Sequence, residues 1–297
     1  MQTHPKLKQL YFKFRAQGVL GLLDAASRRI IPRRAACFVQ FKLTFADATG
    51  LELGGPSAAF SSRGFLPVYD CAGRIDNCNF GHETLWEGSI EEGETFEFDK
   101  TGRRGNQFVA EATDLRRVPS TSYDFVLSSN TLEHIANPLQ ALVEWIRVLK
   151  EGGLLALILP HRDATFDHRR PVTTLDHLIQ DFEQKMDESD LTHLDEILAL
   201  HDLNRDSAAG DFENFKARSL RNLENRSLHH HVFDTRLAID VVDHVGLEIL
   251  AVEAFRPYDI LVLARKNSGA TNGLNARFKA NDSARAWRSP FVSDRTQ

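Results

Sequence analysis

The sequence predicts an α/β protein: a doubly wound, mainly parallel sheet with helices on both faces and a polar insertion late in the chain. Three observations predict it. Short apolar runs such as "YDFVLSSN" and "LLALILP" alternate with amphipathic helical stretches, the pattern of parallel strands joined by crossover helices. Several runs end in polar or glycine-rich turns, and in such sheets ligands bind beyond the carboxyl ends of the strands. The alternation breaks at residues 161–232, which are rich in His, Asp and Arg, and then resumes.

The 297 residues are 42% hydrophobic and 26% charged, an ordinary globular composition. A formal charge of −5 gives no basic field, so no nucleic-acid partner is expected. Cys37, Cys71 and Cys78 form no Cys-x-x-Cys pair, which argues against a disulfide framework or zinc ribbon and for a reducing cytoplasm. The strongest apolar run, "LLALIL", is far short of the roughly 20 residues of a membrane span. Lys6, Lys8, Lys13 and Arg15 interrupt any signal-peptide pattern.

Residues 1–46 are basic. Leu7, Leu10, Tyr11 and Phe14 share a helical face, which predicts an amphipathic helix packed on the body, with a membrane-surface or anionic contact as the sharper alternative. "LELGGPSAAF" at residues 51–60 reads as a strand followed by a turn. Adjacent glycines weaken regular structure, but they let backbone N–H groups approach a ligand. "FLPVYD" reads as a second strand and residues 71–105 as loop with a hairpin. "QFVAE" reads as a third strand and "YDFVLSSN" as a buried fourth. Asn137-Pro138 supplies an N-cap and first-turn proline. Leu139, Leu142, Val143, Ile146 and Leu149 follow at helical spacing, with Lys150 in the last turn and Gly152-Gly153 as the stop. "LLALILP" is a fifth strand. After the insertion, "TRLAIDVVDHVG" reads as a helix capped by Gly246, and "LEILAVEAF" and "YDILVLARK" as closing strands. Residues 267–297 lack apolar period and read as a disordered tail.

The segment "YDFVLSSNTLEHIANPLQALVEWIRVLKEGGLLALILP" resembles the core of class I S-adenosylmethionine-dependent methyltransferases, of the methyltransferase type 11-like kind. "LELGGPS" resembles their first motif as a Gly-Pro-Ser variant, "EATDL" the segment after strand three, and "HHHVFDTRL" with "VGLEIL" the approach to strand six. The resemblance spans about residues 50–160 and 229–265. It implies a Rossmann-like, seven-stranded domain over residues 47–266, with its insertion after strand five. It also implies S-adenosylmethionine as cofactor and methyl transfer as the activity.

The same resemblance assigns roles. Gly54, Gly55, Pro56 and Ser57 would form the cradle, and Glu52 would hold the cofactor's amino group, directly or through water. Asp70 or Asp76, 18 and 24 residues after Glu52, would take the ribose hydroxyls, and the choice between them stays open. Glu111 and Ala112 would meet adenine, and Ser129 and Asn130 would lie beside the reactive methyl. The usual motif has further alternating glycines where Pro56 and Ser57 stand, so the cradle is narrower or shifted.

The histidines are the candidates for acid–base work, because imidazole titrates near neutrality and can take a proton from a hydroxyl or amine. His134 follows strand four and His161 follows strand five. If "HHHVFD" is extended, His229 and His231 point one way and His230 the other; the expectation is that His229 and His231 face the pocket with His161. No His-x-x-x-His spacing occurs, and three adjacent histidines cannot share one ion undistorted, so no metal is expected. A polar insertion suits a small-molecule or glycan acceptor. The rival reading is a methyltransferase fold without transfer activity, acting as a binding or scaffold protein, supported only by the altered glycine turn.

Overall fold

The crossovers build one eight-stranded sheet. In the computed structural model, which describes residues 33–267, 269, 273–280 and 286–295, the strands are β1 (Thr49–Leu53), β2 (Arg74–Asn79), β3 (Glu83–Thr84), β4 (Gly88–Ser89), β5 (Gly93–Glu97), β6 (Arg104–Val109), β7 (Tyr123–Ser129), β8 (Leu149–Pro160), β9 (Glu248–Phe255) and β10 (Asp259–Arg265). The helices are α1 (Ala36–Phe45), α2 (Pro138–Val148), α3 (Leu175–Gln184), α4 (Leu194–Leu200), α5 (Phe212–Leu220), α6 (Asn222–Asn225), α7 (Thr235–His244) and α8 (Ala276–Lys279). The sheet order is β5-β6-β2-β1-β7-β8-β10-β9; β3 and β4 pair separately as the expected hairpin. β6, β2, β1, β7 and β8 run parallel, and β10 is antiparallel to both β8 and β9. The eighth strand beyond the expected seven is β5, an antiparallel edge on β6. The helix expected from Leu7 to Phe14 lies outside the described residues.

Period two explains the two faces. On β8, Leu155, Leu157 and Leu159 pack with Leu142 and Trp145 of α2 and Ile239 and Val242 of α7. Leu154, Ala156 and Ile158 pack on the other face with Phe45 of α1 and with Phe60 and Phe125. Gly50 is required because a Cβ there would lie 1.9 Å from the Phe125 ring. As anticipated, Asn137 caps α2, its Oδ1 accepting from Gln140 N at 3.0 Å. The helix ends earlier than expected, at Val148, and Gly152-Gly153 lies inside the long strand β8.

The second strand is not where its apolar pattern suggested. "FLPVYD" forms a 3-10 turn at Val68–Asp70, and β2 lies in the stretch read as loop. Its polar residues are buried because each is satisfied. Asp76 accepts from Arg74 Nε (2.8 Å), Asn106 N (2.7 Å) and Tyr123 Oη (2.9 Å). Asn77 exchanges two 3.1 Å bonds with the Gly55 backbone and donates to Gln107 Oε1.

The tail expected to be disordered is docked where it is described. Phe278, Trp287 and Phe291 are buried, Thr235 Oγ1 donates to Asp294 Oδ2 at 2.6 Å, and Phe291 stacks on His161 at 4.0 Å. Sparse single aromatics, not a periodic stripe, anchor it. Among the described residues no helix is long and apolar enough to cross a membrane.

Candidate active site

The sheet order reverses between β2-β1 and β7-β8, and a cavity of about 800 Å³ opens there, at the carboxyl ends of the strands. β1 delivers Gly54, Pro56 and Ser57 to its wall; β2 delivers Asn79 and Phe80; the turn after β6 delivers Glu111 and Ala112; β7 delivers Ser129 and Asn130. Gly54 has φ +76°, and a Cβ on it would sit 2.7 Å from Thr131 Oγ1. Here the glycine is required both by conformation and by space.

Glu52 and Gly55 lie beneath this turn and do not line the cavity. Glu52 accepts from Ser57 N at 3.0 Å and Tyr69 Oη at 2.7 Å, and a Cβ on Gly55 would meet its Cδ at 2.2 Å. Complete burial pushes the Glu52 carboxyl up to about 8, against the opposing pull of those two hydrogen bonds. Asp70 is exposed and Asp76 lies inside β2, so neither reaches the cavity. The position at the end of β2 belongs to Asn79.

Glu111 lines the cavity as expected, but it has a protein partner. Arg226 of the insertion donates from Nη2 to Glu111 Oε1 at 2.5 Å, pairs through Nη1 with Glu188 at 3.0 Å, and lies over the Phe80 ring at 5.3 Å. Burial raises Glu111, with Arg226 opposing; Glu188 is raised to about 7 by the same competition.

Beyond Asn130 the wall carries Glu133, His134, His229 and Tyr258. Asn130 holds φ +51°, and its Oδ1 is buried without a hydrogen-bond partner. Both Glu133 carboxylate oxygens are likewise unpartnered, and burial pushes this group up to about 7. His134 Nδ1 donates to Leu228 O at 2.9 Å, which leaves Nε2 as the lone-pair nitrogen; burial and the neighbouring His229 hold it well below the usual imidazole range.

His229 Nδ1 lies 2.5 Å from Asp167 Oδ2. Burial opposes the Asp167 charge, yet His229 and Arg170 hold it at about 2, so the carboxylate accepts and Nδ1 donates. For His229, burial pulls its affinity for protons down and the Asp167 and Glu133 charges more than reverse this, raising it. Arg170, fully buried, pairs with Asp167 and donates to the His229 and His230 carbonyls, fixing the stretch. One carboxylate O and one ring nitrogen each from Glu133, His134 and His229 lie within 4.8 Å of one another, a set that could hold a divalent ion.

Two expected inward-facing histidines are elsewhere. His161 is fully buried against the tail, 3.2 Å from Asp294 Oδ1. His231 turns to Ala136 O, and His230 to Asn222 at 3.0 Å. His229 is half-buried and alone of the three lines the cavity, while His230 and His231 are both buried away from it, so His231 does not share the pocket face with His229 as expected.

Residues 92–157 match a family model described as a methyltransferase domain, and they run from the edge strand β5 through most of β8. That stretch, about a fifth of the chain, is similar to a methyltransferase domain. Solved structures similar to this chain include a SAM dependent methyltransferase from Aquifex aeolicus, at 14% identity over 77% of this chain and 88% of that one, TM-score 0.40. A SAM-dependent methyltransferase from Methanosarcina mazei is 15% identical over 74% of this chain and 93% of that one, TM-score 0.39. No curated protein matches.

The cavity fits the S-adenosylmethionine expected from the sequence in two respects: an open glycine turn at β1 and an unsatisfied amide at Asn130. It departs in a third, since Asn79 stands where a carboxylate was expected. Asn79, Arg226, Glu188 and the Asp167–His229 pairing were missed by the sequence reading. Only correct placement of β2 could have pointed to Asn79, while the other three are long-range contacts of the insertion.

Proposed function

We propose that this chain is an S-adenosylmethionine-dependent methyltransferase that acts on a small polar acceptor, a hydroxyl or amine on a compact and glycan-like molecule, held beside Asn130 and His229. One observation carries the reading: the Asp167–His229 pair and the Gly54-Pro56-Ser57 turn open onto the same cavity. The charged wall formed by Glu133, Arg205 and Asp206 supports a polar acceptor over a lipid.

Bound S-adenosylmethionine supplies an electrophilic methyl on a sulfonium, so alignment provides much of the rate. On this reading, Gly54 and Ser57 seat the methionine end, and Glu52 and Gly55 act from below by fixing the turn. Asn79 meets the ribose hydroxyls, and Glu111 and Ala112 meet adenine. Ser129 and Asn130 border the reacting centre. Asp167 holds the Nδ1–H of His229, which leaves Nε2 to accept the acceptor's proton as its oxygen or nitrogen lone pair attacks the methyl. His134 borders the acceptor.

His229→Ala should lower kcat by about 10²–10⁴-fold while S-adenosylmethionine affinity, measured by calorimetry, stays near wild type. An unchanged kcat with a competent acceptor would remove His229 from the reaction. Absence of any cofactor binding by the wild-type chain would favour a non-catalytic scaffold.

A further inference from the structure

The insertion holds a second histidine cluster that lines no part of the cavity. Thr174 caps α3 by accepting from His177 N, which sets His177 in its first turn; Asp181 follows one turn later on the same face. His193 is the residue preceding α4, and His231 enters from the stretch before α7. A ring nitrogen from each of His177, His193 and His231 lies within 4.8 Å of the others. His177 Nε2 and His193 Nε2 are 3.0 Å apart. Asp181 Oδ2 is 3.4 Å from His177 Nε2 and 3.7 Å from His231 Nε2.

Two features go beyond a packed polar cluster. The Asp181 side chain is 8% exposed, and its Oδ2 accepts no hydrogen bond although two imidazoles adjoin it. His231 Nε2 donates to Ala136 O at 3.2 Å, which makes its buried Nδ1 the lone-pair nitrogen, and that atom has no partner. A carbonyl that fixes the far side of an imidazole is the usual support of a metal-ligating histidine. Ligands of a tetrahedral zinc lie about 3.3 Å from one another, close to the two spacings around His177 Nε2.

We propose that His177, Asp181, His193 and His231 bind one zinc-class divalent ion, a structural site that ties α3 and α4 to the segment carrying His229. Three imidazoles and one carboxylate suit zinc, and four protein ligands leave no open position for chemistry. The site is independent of the acceptor and of the proton acceptor His229. The sequence hid it because His177-x-x-x-Asp181 is not a His-x-x-x-His, and the other two ligands come from distant segments.

The test is elemental analysis of the purified full chain, followed by cobalt titration of protein stripped with a chelator. About one zinc per chain is expected, and cobalt should give the intense visible absorption of a four-coordinate site. His193→Ala should lose both signals, and Asp181→Asn should weaken cobalt binding at least about tenfold while circular dichroism stays native. A folded wild-type chain that binds neither metal overturns the proposal. So does a metal that persists in folded Asp181→Asn at wild-type affinity, or one lost in Glu133→Gln but kept in His193→Ala, which would place the ion in the cavity.

Discussion

Arg226 of the insertion reaches across the cavity to Glu111 beyond β6, with Nη2 2.5 Å from Oε1, while its other terminal nitrogen pairs with Glu188. A residue far along the chain thus meets the group expected beside adenine. The insertion is a wall of the cavity and not an appendage.

Arg226→Ala strands the largely buried Glu188, but Glu111 keeps solvent, its side chain being 41% exposed. Loss of roughly 1–3 kcal/mol is expected, below the 3–5 kcal/mol of a wholly buried pair. Denaturant titration checks this; wild-type stability would mean that the bridge is dispensable. Cofactor affinity should fall as well, because the cavity wall loosens.

Gly55→Ala places a methyl 2.2 Å from Glu52 Cδ, and Gly54→Val places a branched side chain at φ +76° against Thr131. Both should abolish S-adenosylmethionine binding, Gly55→Ala by displacing the turn from beneath and Gly54→Val by distorting it and filling cavity space. Calorimetry on folded variants decides, and wild-type affinity in either would remove the turn from the donor site.

Glu52 gives a pH signature. Its folded-state value of about 8 stands above the 4.5 of an exposed glutamate, so between these limits the folded chain holds the extra proton. Stability should therefore fall as pH rises through that window, by up to about 1.4 kcal/mol per pH unit, and level off above it. Glu52→Gln should flatten this slope in urea denaturation series at pH 5 to 8. A slope equal to wild type would mean that Glu52 is ionised when folded.

Deleting residues 273–297 should lower the melting temperature by at least about 5 °C, since buried Trp287, Phe291 and the Asp294 contacts to His161 and Thr235 are lost. An unchanged melting curve would show that this segment contributes nothing to stability.

The fold was legible where apolar burial and capping coincide. Tyr123–Ser129, the Asn137-Pro138 cap and the alternation of β8 all follow from local physics. β2 was hidden because Asp76, Asn77 and Asn79 are buried by hydrogen bonds to residues that only the fold brings near. The site was half legible. Gly54, Ser57, Glu111 and Asn130 follow strand ends, which pattern reveals. His161 and His231 could not be placed, because their partners Asp294 and Ala136 are 133 and 95 residues away in the chain.

A crystal structure with S-adenosylhomocysteine tests most directly whether one cavity serves donor and acceptor. The amino-acid end should lie against Gly54, Pro56 and Ser57, the adenine beside Glu111 and Ala112, and the sulfur should face Asn130 and His229. Electron density for the nucleoside outside this cavity, or a sulfur turned away from His229, would contradict it.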